Sequence, residues 1–307
     1  MNRRVLPLLV FAAVGLVLVY FALFVHDAIP ARSTLAIDWE DVRSLAGPVE
    51  AGPRSVHGQR VARGRFLGWM VCAGCGWDAV DMEFRTFQLA YADGRTVVID
   101  AVYDEAMHRA MPTGGDYDAS AFARQTEALR RADRVVLTHE HPDHANGLLP
   151  VVDDPAVKPH LLIPEAQRHS SAMRDAGISE AQLADLPPAP DQALRPVAPG
   201  VVAIALPGHT PGTQVVFVRR ADGAEYLFLG DIVWNARNLR ERRGKSRLIS
   251  AIAGEDRKPL LDQIAYFADL ARADDASNPR WHLVVAHDPE QNEALVRAGF
   301  LVDGLVR

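Results

Sequence analysis

The pattern of apolar and polar positions predicts a chain of short strands and helices behind an apolar N-terminal run. Apolar stretches bounded by turn residues predict strands; they are "VARGRFLGWMVC", "EFRTFQLAY", "RTVVIDA", "RVVLT", "HLLIP", "VVAIALP", "TQVVFVRR", "YLFLGDIVW" and "HLVVAHD". Helical periodicity marks "DASAFARQTEALRRA" and the ranges 165–176, 178–186, 255–273 and 289–298. The Pro-rich "LPPAPDQALRPVAPG" predicts a surface connection. This mixture favours sheets covered by helices over a regular βαβ repeat.

The N-terminal run has the composition of a membrane-spanning helix. Val5 to Val25 carries no charged residue, and a helix of that length would span roughly 30 Å, the thickness of a bilayer core. Arg3 and Arg4 precede the run, and basic flanks remain in the cytoplasm. Cleavable signals have shorter apolar regions, about 7–15 residues, with a small-residue cleavage site. We therefore expect residues 5–25 to contact the lipid bilayer as an uncleaved anchor, with the rest of the chain on the periplasmic or extracytoplasmic side.

Composition divides the chain into three parts. Residues 1–27 form the predicted anchor or signal. Residues 28–58 are rich in Pro, Gly, Ala and Ser and predict a linker, with a short helix around "DWEDVRSLAG". Residues 59–307 have the alternating apolar pattern of a globular domain.

Charge and rare residue types narrow the partners. The formal net charge is -6 and no basic face stands out, so a nucleic-acid partner is not expected. No pattern indicates a protein partner. Lysine occurs only at positions 158, 245 and 258 among many arginines, which we interpret as codon bias.

The chain has two cysteines, Cys72 and Cys75, in "VCAGCGW". A structural zinc site needs four ligands, and no second cysteine pair is present in the sequence. A local disulfide and a pair of free thiols both remain open. Export from the cytoplasm would favour the disulfide.

The segment "THEHPDHANG" concentrates metal-binding side chains where a predicted buried strand ends. His139 and His141 alternate, so both rings project to one side of an extended chain. Asp143 and His144 follow Pro142, which favours a turn. Packing gives no reason to gather imidazoles at a strand end, so this pattern favours a metal site.

Three later segments repeat this arrangement of a polar group after an apolar strand. His209 lies in "VVAIALPGHTPG", Asp231 in "YLFLGDI" and His287 in "HLVVAHD". Each one alone is typical of a helix cap or a surface turn. In this order, after the histidine-rich segment, they form a consistent set of metal ligands.

From about residue 60 to the end, the sequence resembles the metallo-β-lactamase superfamily. The resemblance lies in "THEHPDH", the "PGHTPG" histidine, the "GD" aspartate and the "AHD" histidine. It implies an αββα sandwich, in which two mixed β-sheets are flanked by helices and the metal site lies at one edge. It further implies that one metal is bound by His139, His141 and His209, a second by Asp143, His144 and His287, and that Asp231 bridges the two.

Imidazole and carboxylate ligands suit Zn²⁺, with Fe or Mn as alternatives. Two cations about 3.5–4 Å apart can hold a bridging hydroxide as the nucleophile. Asp143 and Asp231 are the candidate catalytic residues: Asp143 to orient the nucleophile or move its proton, Asp231 to hold the metals together. We therefore expect a membrane-anchored hydrolase with two divalent metal ions, acting on a small ester, lactone or thioester.

Other readings of the same residues remain. They are a metal-dependent phosphodiesterase, a β-lactam-type hydrolase, a mononuclear iron oxidoreductase of the same fold, and a non-catalytic metal-binding scaffold. "AHDPEQ" resembles a late segment of quorum-quenching lactonases. Trp234, three residues after the predicted bridging aspartate, is interpreted as core packing. Trp69, Met70 and Trp77 are candidates for either pocket lining or core.

Overall fold

Two mixed β-sheets form the centre of the molecule in the computed structural model, which describes residues 5–189, 191–273 and 281–306. The strands in chain order are β1 (Ser55–Leu67), β2 (Ala79–Ala90), β3 (Thr96–Ile99), β4 (Arg134–Val136), β5 (Leu194–Ala198), β6 (Val201–Ala205), β7 (Gln214–Arg219), β8 (Glu225–Phe228), β9 (Trp281–Val284) and β10 (Val302–Asp303).

Helices occupy the connections between these strands. In chain order they are α1 (Val5–Tyr20), α2 (Trp39–Ala46), α3 (Gly68–Val71), α4 (Glu105–Ala110), α5 (Ala119–Arg131), α6 (Pro142–Ala145), α7 (Glu165–Arg168), α8 (Ser171–Asp175), α9 (Glu180–Leu183), α10 (Ala236–Glu241), α11 (Arg247–Ile252), α12 (Arg257–Ala273) and α13 (Pro289–Arg297).

Each sheet combines antiparallel and parallel pairs. The first has the order β10-β1-β2-β3-β4, in which β1–β2 and β2–β3 are antiparallel while β3–β4 and β1–β10 are parallel. The second has the order β5-β6-β7-β8-β9, antiparallel except for the parallel pair β8–β9. The parallel pairs β3–β4 and β8–β9 are each joined by a crossover that contains a helix, α5 and α12 among them.

The sheets pack face to face, with helices on both outer faces. Phe87 of the first sheet meets Phe228 of the second, with ring centroids 5.0 Å apart. Strand β6 illustrates the packing, because alternate side chains point to opposite faces. Val201 lies in the core between the sheets, whereas Val202 lies in the core shared with α2 and α12. Burial on both faces explains why such strands are almost wholly apolar.

The two sheets and their helices fit the predicted αββα architecture, but the fold-class prediction was wrong about a transmembrane helix. Among the described residues, no helix is both long and apolar enough to cross a membrane. Regular helix α1 has 16 residues, or about 24 Å at 1.5 Å per residue, which is less than a bilayer core of about 30 Å. The chain then widens into a π-helical turn, Phe21–Val25, and becomes extended at His26. Lipid contact through residues 5–25 is therefore not supported.

The end of the N-terminal segment packs against the loop that follows β1. Phe24 contacts Trp69 edge-on, with ring centroids 4.9 Å apart, and lies 5.9 Å from Trp77. The main-chain N–H of Gly74 donates to the carbonyl of Phe24. In the same loop, Cys72 and Cys75 form a disulfide, so the sequence alternative of two free thiols does not describe this structure.

The predicted linker, residues 28–58, contains the expected short helix, α2. Val42 and Ala46 of that helix are buried in the core against the second sheet. The segment thus packs onto the domain along part of its length. How the chain divides into domains stays a prediction.

Two smaller expectations were wrong. "HLLIP" forms no extended strand, and Leu161 makes only an isolated bridge to Val135. The Pro-rich connection contains β5, which pairs with β6 at the edge of the second sheet. Pro196 lies within β5, and proline is tolerated there because an edge strand leaves some N–H positions unpaired.

Candidate metal centre

The predicted ligands lie on the connections that leave the carboxyl ends of four strands. Strand β4 leads to His139 and His141, and the one-turn helix α6 carries Asp143 and His144. His209 follows β6, Asp231 follows β8, and His287 follows β9. These strand ends belong to both sheets, so the ligands gather at one edge of the sandwich. Rigid strands thereby fix side chains that are far apart in sequence.

The first group of ligands is His139, His141, His209 and Asp231, whose ligand atoms all lie within 4.8 Å of one another. His141 Nδ1 lies 2.9 Å from His209 Nε2. Asp231 Oδ2 lies 3.5 Å from His209 Nε2 and 3.7 Å from His139 Nε2. These three nitrogens and one oxygen surround a common point.

The second group is Asp143, His144, Asp231 and His287, within the same 4.8 Å limit. His287 Nε2 lies 2.9 Å from Asp231 Oδ1 and 3.5 Å from Asp143 Oδ2. His144 Nε2 lies 3.3 Å from Asp231 Oδ1. The structure therefore brings together all seven predicted ligands, and the two oxygens of Asp231 face different groups. That each one binds metal stays a prediction.

The donor set fits metal ions. His139 Nε2 is fully buried and has no hydrogen-bond partner. His144 Nε2 and His287 Nε2 face each other at 3.3 Å, although two imidazole nitrogens can share only one proton. The lone pairs of these histidine nitrogens point towards one another beside buried carboxylates. A bound cation would give each of them an electrostatic partner. Imidazole and carboxylate donors suit zinc and similar divalent metals.

The electrostatics favour the metal-binding protonation state at three of the predicted ligands, whereas nearby carboxylates outweigh burial and raise the pKa of His144 and His287. Burial, followed by the charge of His144, lowers the pKa of His139 well below its usual value. Burial and the nearby ammonium of Lys245 lower the pKa of His209 to about 4. Burial alone would raise the pKa of Asp231, but His287 and the other histidines outweigh it and hold that pKa well below its usual value. Neutral imidazoles and an ionised carboxylate are the metal-binding forms.

Asp100, a residue that the sequence analysis missed, orients His144. Its Oδ2 accepts hydrogen bonds from His144 Nδ1 and from the hydroxyl of Thr138, both at 2.9 Å. Its Oδ1 accepts from the main-chain N–H of Thr138 at 2.6 Å. Since Nδ1 donates, His144 Nε2 is free to bind metal. The sequence signal was present, because Asp100 follows the buried strand β3 as Asp231 follows β8.

Glu140 ties the first histidine segment to the turn that carries His209. It is completely buried; Thr210 Oγ1 donates to its Oε2 at 2.8 Å, and the N–H of Gly212 donates to its Oε1 at 3.3 Å. Burial raises the pKa of Glu140. A side chain at Gly212 would meet Gln167 Cγ at 2.3 Å and Glu140 Oε2 at 2.6 Å, so the close approach requires glycine.

Trp234 and Lys245 belong to the site, contrary to their sequence interpretations as core packing and codon bias. Trp234 Nε1 donates to Asp231 Oδ2 at 2.6 Å. Lys245 is 2% exposed, and its Nζ donates to the carbonyl of Asp231 at 2.7 Å. The scarcity of lysine in the sequence was the one available signal for Lys245. Trp69 and Trp77 lie against Phe24.

A cleft of about 480 Å³ is present on the described part of the chain, and none of the seven predicted ligands lines it. Its lining includes Met82, Asn235 and Asp288, and the last two are chain neighbours of Trp234 and His287. Its volume falls in the range typical of small-molecule pockets.

Together, the αββα layers and a cluster of five histidines and two aspartates at the sheet edge define a class of metal-dependent hydrolases. The sequence profile of the metallo-beta-lactamase superfamily matches residues 88–287, which is well over half of the chain. The chain therefore belongs to the metallo-beta-lactamase superfamily and is a metal-dependent hydrolase of that fold. No curated protein sequence matches this chain significantly.

Solved structures with this fold include enzymes that act on lactones. A quorum-quenching N-acyl homoserine lactone lactonase is 15% identical, with a TM-score of 0.57 over 80% of this chain and 96% of that one. An N-acyl homoserine lactone hydrolase with N-hexanoyl-L-homoserine bound at its catalytic metal centre is 14% identical, with a TM-score of 0.56 over 79% and 96% of the two chains. A probable metal-dependent hydrolase from Staphylococcus aureus is 15% identical, with a TM-score of 0.56 over 78% and 90%. These identities establish a shared fold.

Proposed function

We propose that this chain binds two divalent metal ions, with zinc as the expected metal, and hydrolyses a small ester, lactone or thioester. One observation carries the proposal: Asp231 presents Oδ2 to one group of histidines and Oδ1 to the other. A carboxylate placed in this way suits a bridge between two cations. The similarity in fold to lactone-hydrolysing enzymes supports the substrate class.

The proposed ligands are His139, His141 and His209 for one ion, Asp143, His144 and His287 for the other, and Asp231 for both. When bound, such ions polarise the attacked carbonyl and lower the pKa of water towards neutrality. The protein positions these ligands on strand ends, and burial lowers the pKa of His139 and His209, which favours their neutral forms. Buried surroundings also strengthen the interactions of Asp231 with its partners.

Asp143 is the proposed residue for moving a proton. Its side chain is 16% exposed, while that of Asp231 is 3% exposed. It therefore reaches both the ligand cluster and a substrate that arrives from solvent. Its Oδ2 can orient the attacking water, accept a proton from that water, and later deliver the same proton to the leaving oxygen or sulfur.

We also propose that the domain acts outside the cytoplasm. The Cys72–Cys75 disulfide supports this location, because disulfides persist in oxidising compartments. The substrate is expected to be a small molecule, as in the lactone hydrolase of the same fold that holds N-hexanoyl-L-homoserine at its metal centre.

The test measures metal content and turnover of the full-length protein, purified without chelator. We expect about two metal ions per chain and hydrolysis of one or more members of a panel of lactones, thioesters, simple esters, phosphodiesters and β-lactams. Chelation should abolish activity, and added Zn²⁺ or Mn²⁺ should restore it. Turnover only on phosphodiesters or β-lactams would contradict the substrate class, and a single iron per chain would contradict the two-metal site.

The variant Asp231→Ala tests the bridge. Turnover should fall by on the order of 100-fold or more, because both metal positions depend on this carboxylate. Asp222→Ala is the matched control, since Asp222 lies on the surface and pairs with Arg220 at 2.6 Å; its turnover should equal that of the wild type. Full activity in Asp231→Ala, with well under one metal per chain in the wild type, would defeat the proposal.

A further inference from the structure

A buried ion pair lies directly behind the predicted ligand His209. Lys245 Nζ and Glu255 Oε1 are 2.7 Å apart, and their side chains are 1% and 0% exposed. Neither residue belongs to the predicted ligand set. Burying two charges costs free energy that their attraction often fails to recover. A pair in this position therefore calls for a role beyond stability.

Glu255 determines which nitrogen of His209 faces the metal site. Its Oε1 lies 2.7 Å from His209 Nδ1, and a carboxylate can only accept a hydrogen bond. The ammonium of Lys245 also faces Nδ1, but at 3.5 Å. The closer carboxylate therefore places the proton of neutral His209 on Nδ1. The lone pair is left on Nε2, the atom that lies 3.5 Å from Asp231 Oδ2.

Lys245 fixes the position of Glu255 relative to the segment that carries Asp231. Its Nζ donates to Glu255 and also, at 2.7 Å, to the main-chain carbonyl of Asp231. The ammonium of Lys245 thus connects Glu255, the partner of His209, with the main chain of Asp231, the predicted bridging ligand. The N–H of Asp256 donates to the carbonyl of Gly208 at 2.8 Å, which adds a second link to the His209 turn.

We propose that Glu255, held by Lys245, is a positioning residue that fixes His209 in the tautomer whose Nε2 binds metal. This inference rests on the proposed metal site and extends it to two residues outside the ligand set. His144 also has a carboxylate partner at Nδ1, which is Asp100. Glu255 gives the first metal group the same kind of support that Asp100 gives the second.

The test compares the affinity for Zn²⁺ of full-length variants, measured by competition with a chromophoric chelator. In Glu255→Ala we expect one of the two ions to bind about 10–100-fold more weakly, the usual effect of losing an outer-sphere partner. Glu255→Gln keeps an acceptor at Oε1, and Oε2 has no hydrogen-bond partner in the native structure. The Gln variant should therefore bind within about tenfold of the wild type, because it keeps the acceptor for His209 Nδ1 and loses the negative charge that pairs with Lys245.

A second readout requires no metal. NMR of the imidazole nitrogens in the metal-free protein should find His209 protonated at Nδ1 in the wild type and in Glu255→Gln, and a mixture of tautomers in Glu255→Ala. Glu225→Gln is the matched control. Glu225 forms a comparable ion pair, with 2.7 Å between its Oε1 and Arg43 Nε, and its side chain is 8% exposed. This pair does not involve any of the predicted ligands. The control should leave both the affinity for Zn²⁺ and the tautomer unchanged.

The outcomes separate the two proposals. A wild-type chain that binds neither ion overturns the proposed function together with this inference. A wild-type chain that binds both ions, alongside a Glu255→Ala variant of equal affinity and unchanged tautomer, overturns the inference alone. If Glu255→Ala does not fold, Glu255→Gln decides by the same measurements: loss of Nδ1 protonation in that variant would contradict the role of the acceptor.

Discussion

Replacing Asp100 by Asn should weaken the binding of one metal ion without unfolding the protein. Asp100 has a φ of 63°, in the left-handed region that Asn tolerates and most other residues avoid. Asp100→Ala would lose three hydrogen bonds to a carboxylate, about 1.5–3 kcal/mol each. That total approaches the whole stability of a typical domain, about 5–15 kcal/mol. The Asn variant is therefore the informative one.

In Asp100→Asn the side-chain amide offers one acceptor oxygen in place of two. The buried main-chain N–H of Thr138 still needs a hydrogen-bond acceptor, because it can only donate. The amide oxygen should therefore take the place of Oδ1. Its NH₂ group then faces His144 Nδ1, which must become an acceptor. The proton of His144 moves to Nε2, the nitrogen that lies 3.3 Å from Asp231 Oδ1, and a protonated nitrogen cannot bind metal.

We expect the second ion to bind about 10–100-fold more weakly in Asp100→Asn, while stability falls by only about 1–2 kcal/mol. Metal competition titrations and thermal unfolding of the metal-free chain measure the two effects separately. Asp133→Asn is the control, since Asp133 accepts from the N–H of Thr96 at 2.8 Å on the same sheet and should leave metal binding unchanged. Two ions bound with wild-type affinity in Asp100→Asn would refute the tautomer argument.

Three further predictions follow from contacts around the site. Trp234→Phe should lower turnover by about 10–100-fold, because the predicted bridging carboxylate loses a hydrogen bond worth about 1.5–3 kcal/mol; steady-state kinetics measure this. Asp27→Ala should lower the melting temperature and weaken metal binding, because Asp27 accepts from the N–H of Gly244, next to the buried lysine; calorimetry and metal titration test both effects. Thiol titration of the denatured, unreduced protein should find few free thiols at Cys72 and Cys75, because they form a disulfide.

Each of these has a matched comparison. Trp77→Phe alters an indole that is 55% exposed and should leave turnover unchanged. Asp93→Ala removes an exposed ion pair with Arg95 and should leave metal binding unchanged, because surface pairs contribute about 0–1 kcal/mol. Wild-type kinetics in Trp234→Phe would return that residue to a packing role. Unchanged metal binding in Asp27→Ala, or two free thiols per chain, would contradict the corresponding prediction.

The Asp27 contact also affects how the enzyme is prepared. Arg257 donates to Asp27 Oδ1 at 2.7 Å and to the carbonyl of Lys245 at 3.0 Å. A chain that starts at residue 28 would lose this anchor for the segment that carries Lys245. The activity screen therefore uses the full chain.

Local sequence determined the cluster of predicted metal ligands and most of the strands. His139, His141, Asp143 and His144 lie so close in sequence that one strand end and one turn fix their relative positions. His209, Asp231 and His287 each follow an apolar run long enough to be recognised as a buried strand. The family resemblance then supplied the way in which these strand ends meet.

Tertiary structure alone decided the residues that support the ligands. Asp100, Glu140, Lys245 and Glu255 act through contacts with segments far away in sequence, and no periodicity marks such a contact. Trp234 has the spacing of a packing residue, and only the fold turns its N–H towards Asp231. Part of the proline-rich connection forms strand β5, because it pairs with β6 in the tertiary structure. The N-terminal run had the apolar composition of a membrane span, but the length of its regular helix depends on the backbone, which leaves the α-helix at Phe21 and packs Phe24 against the domain.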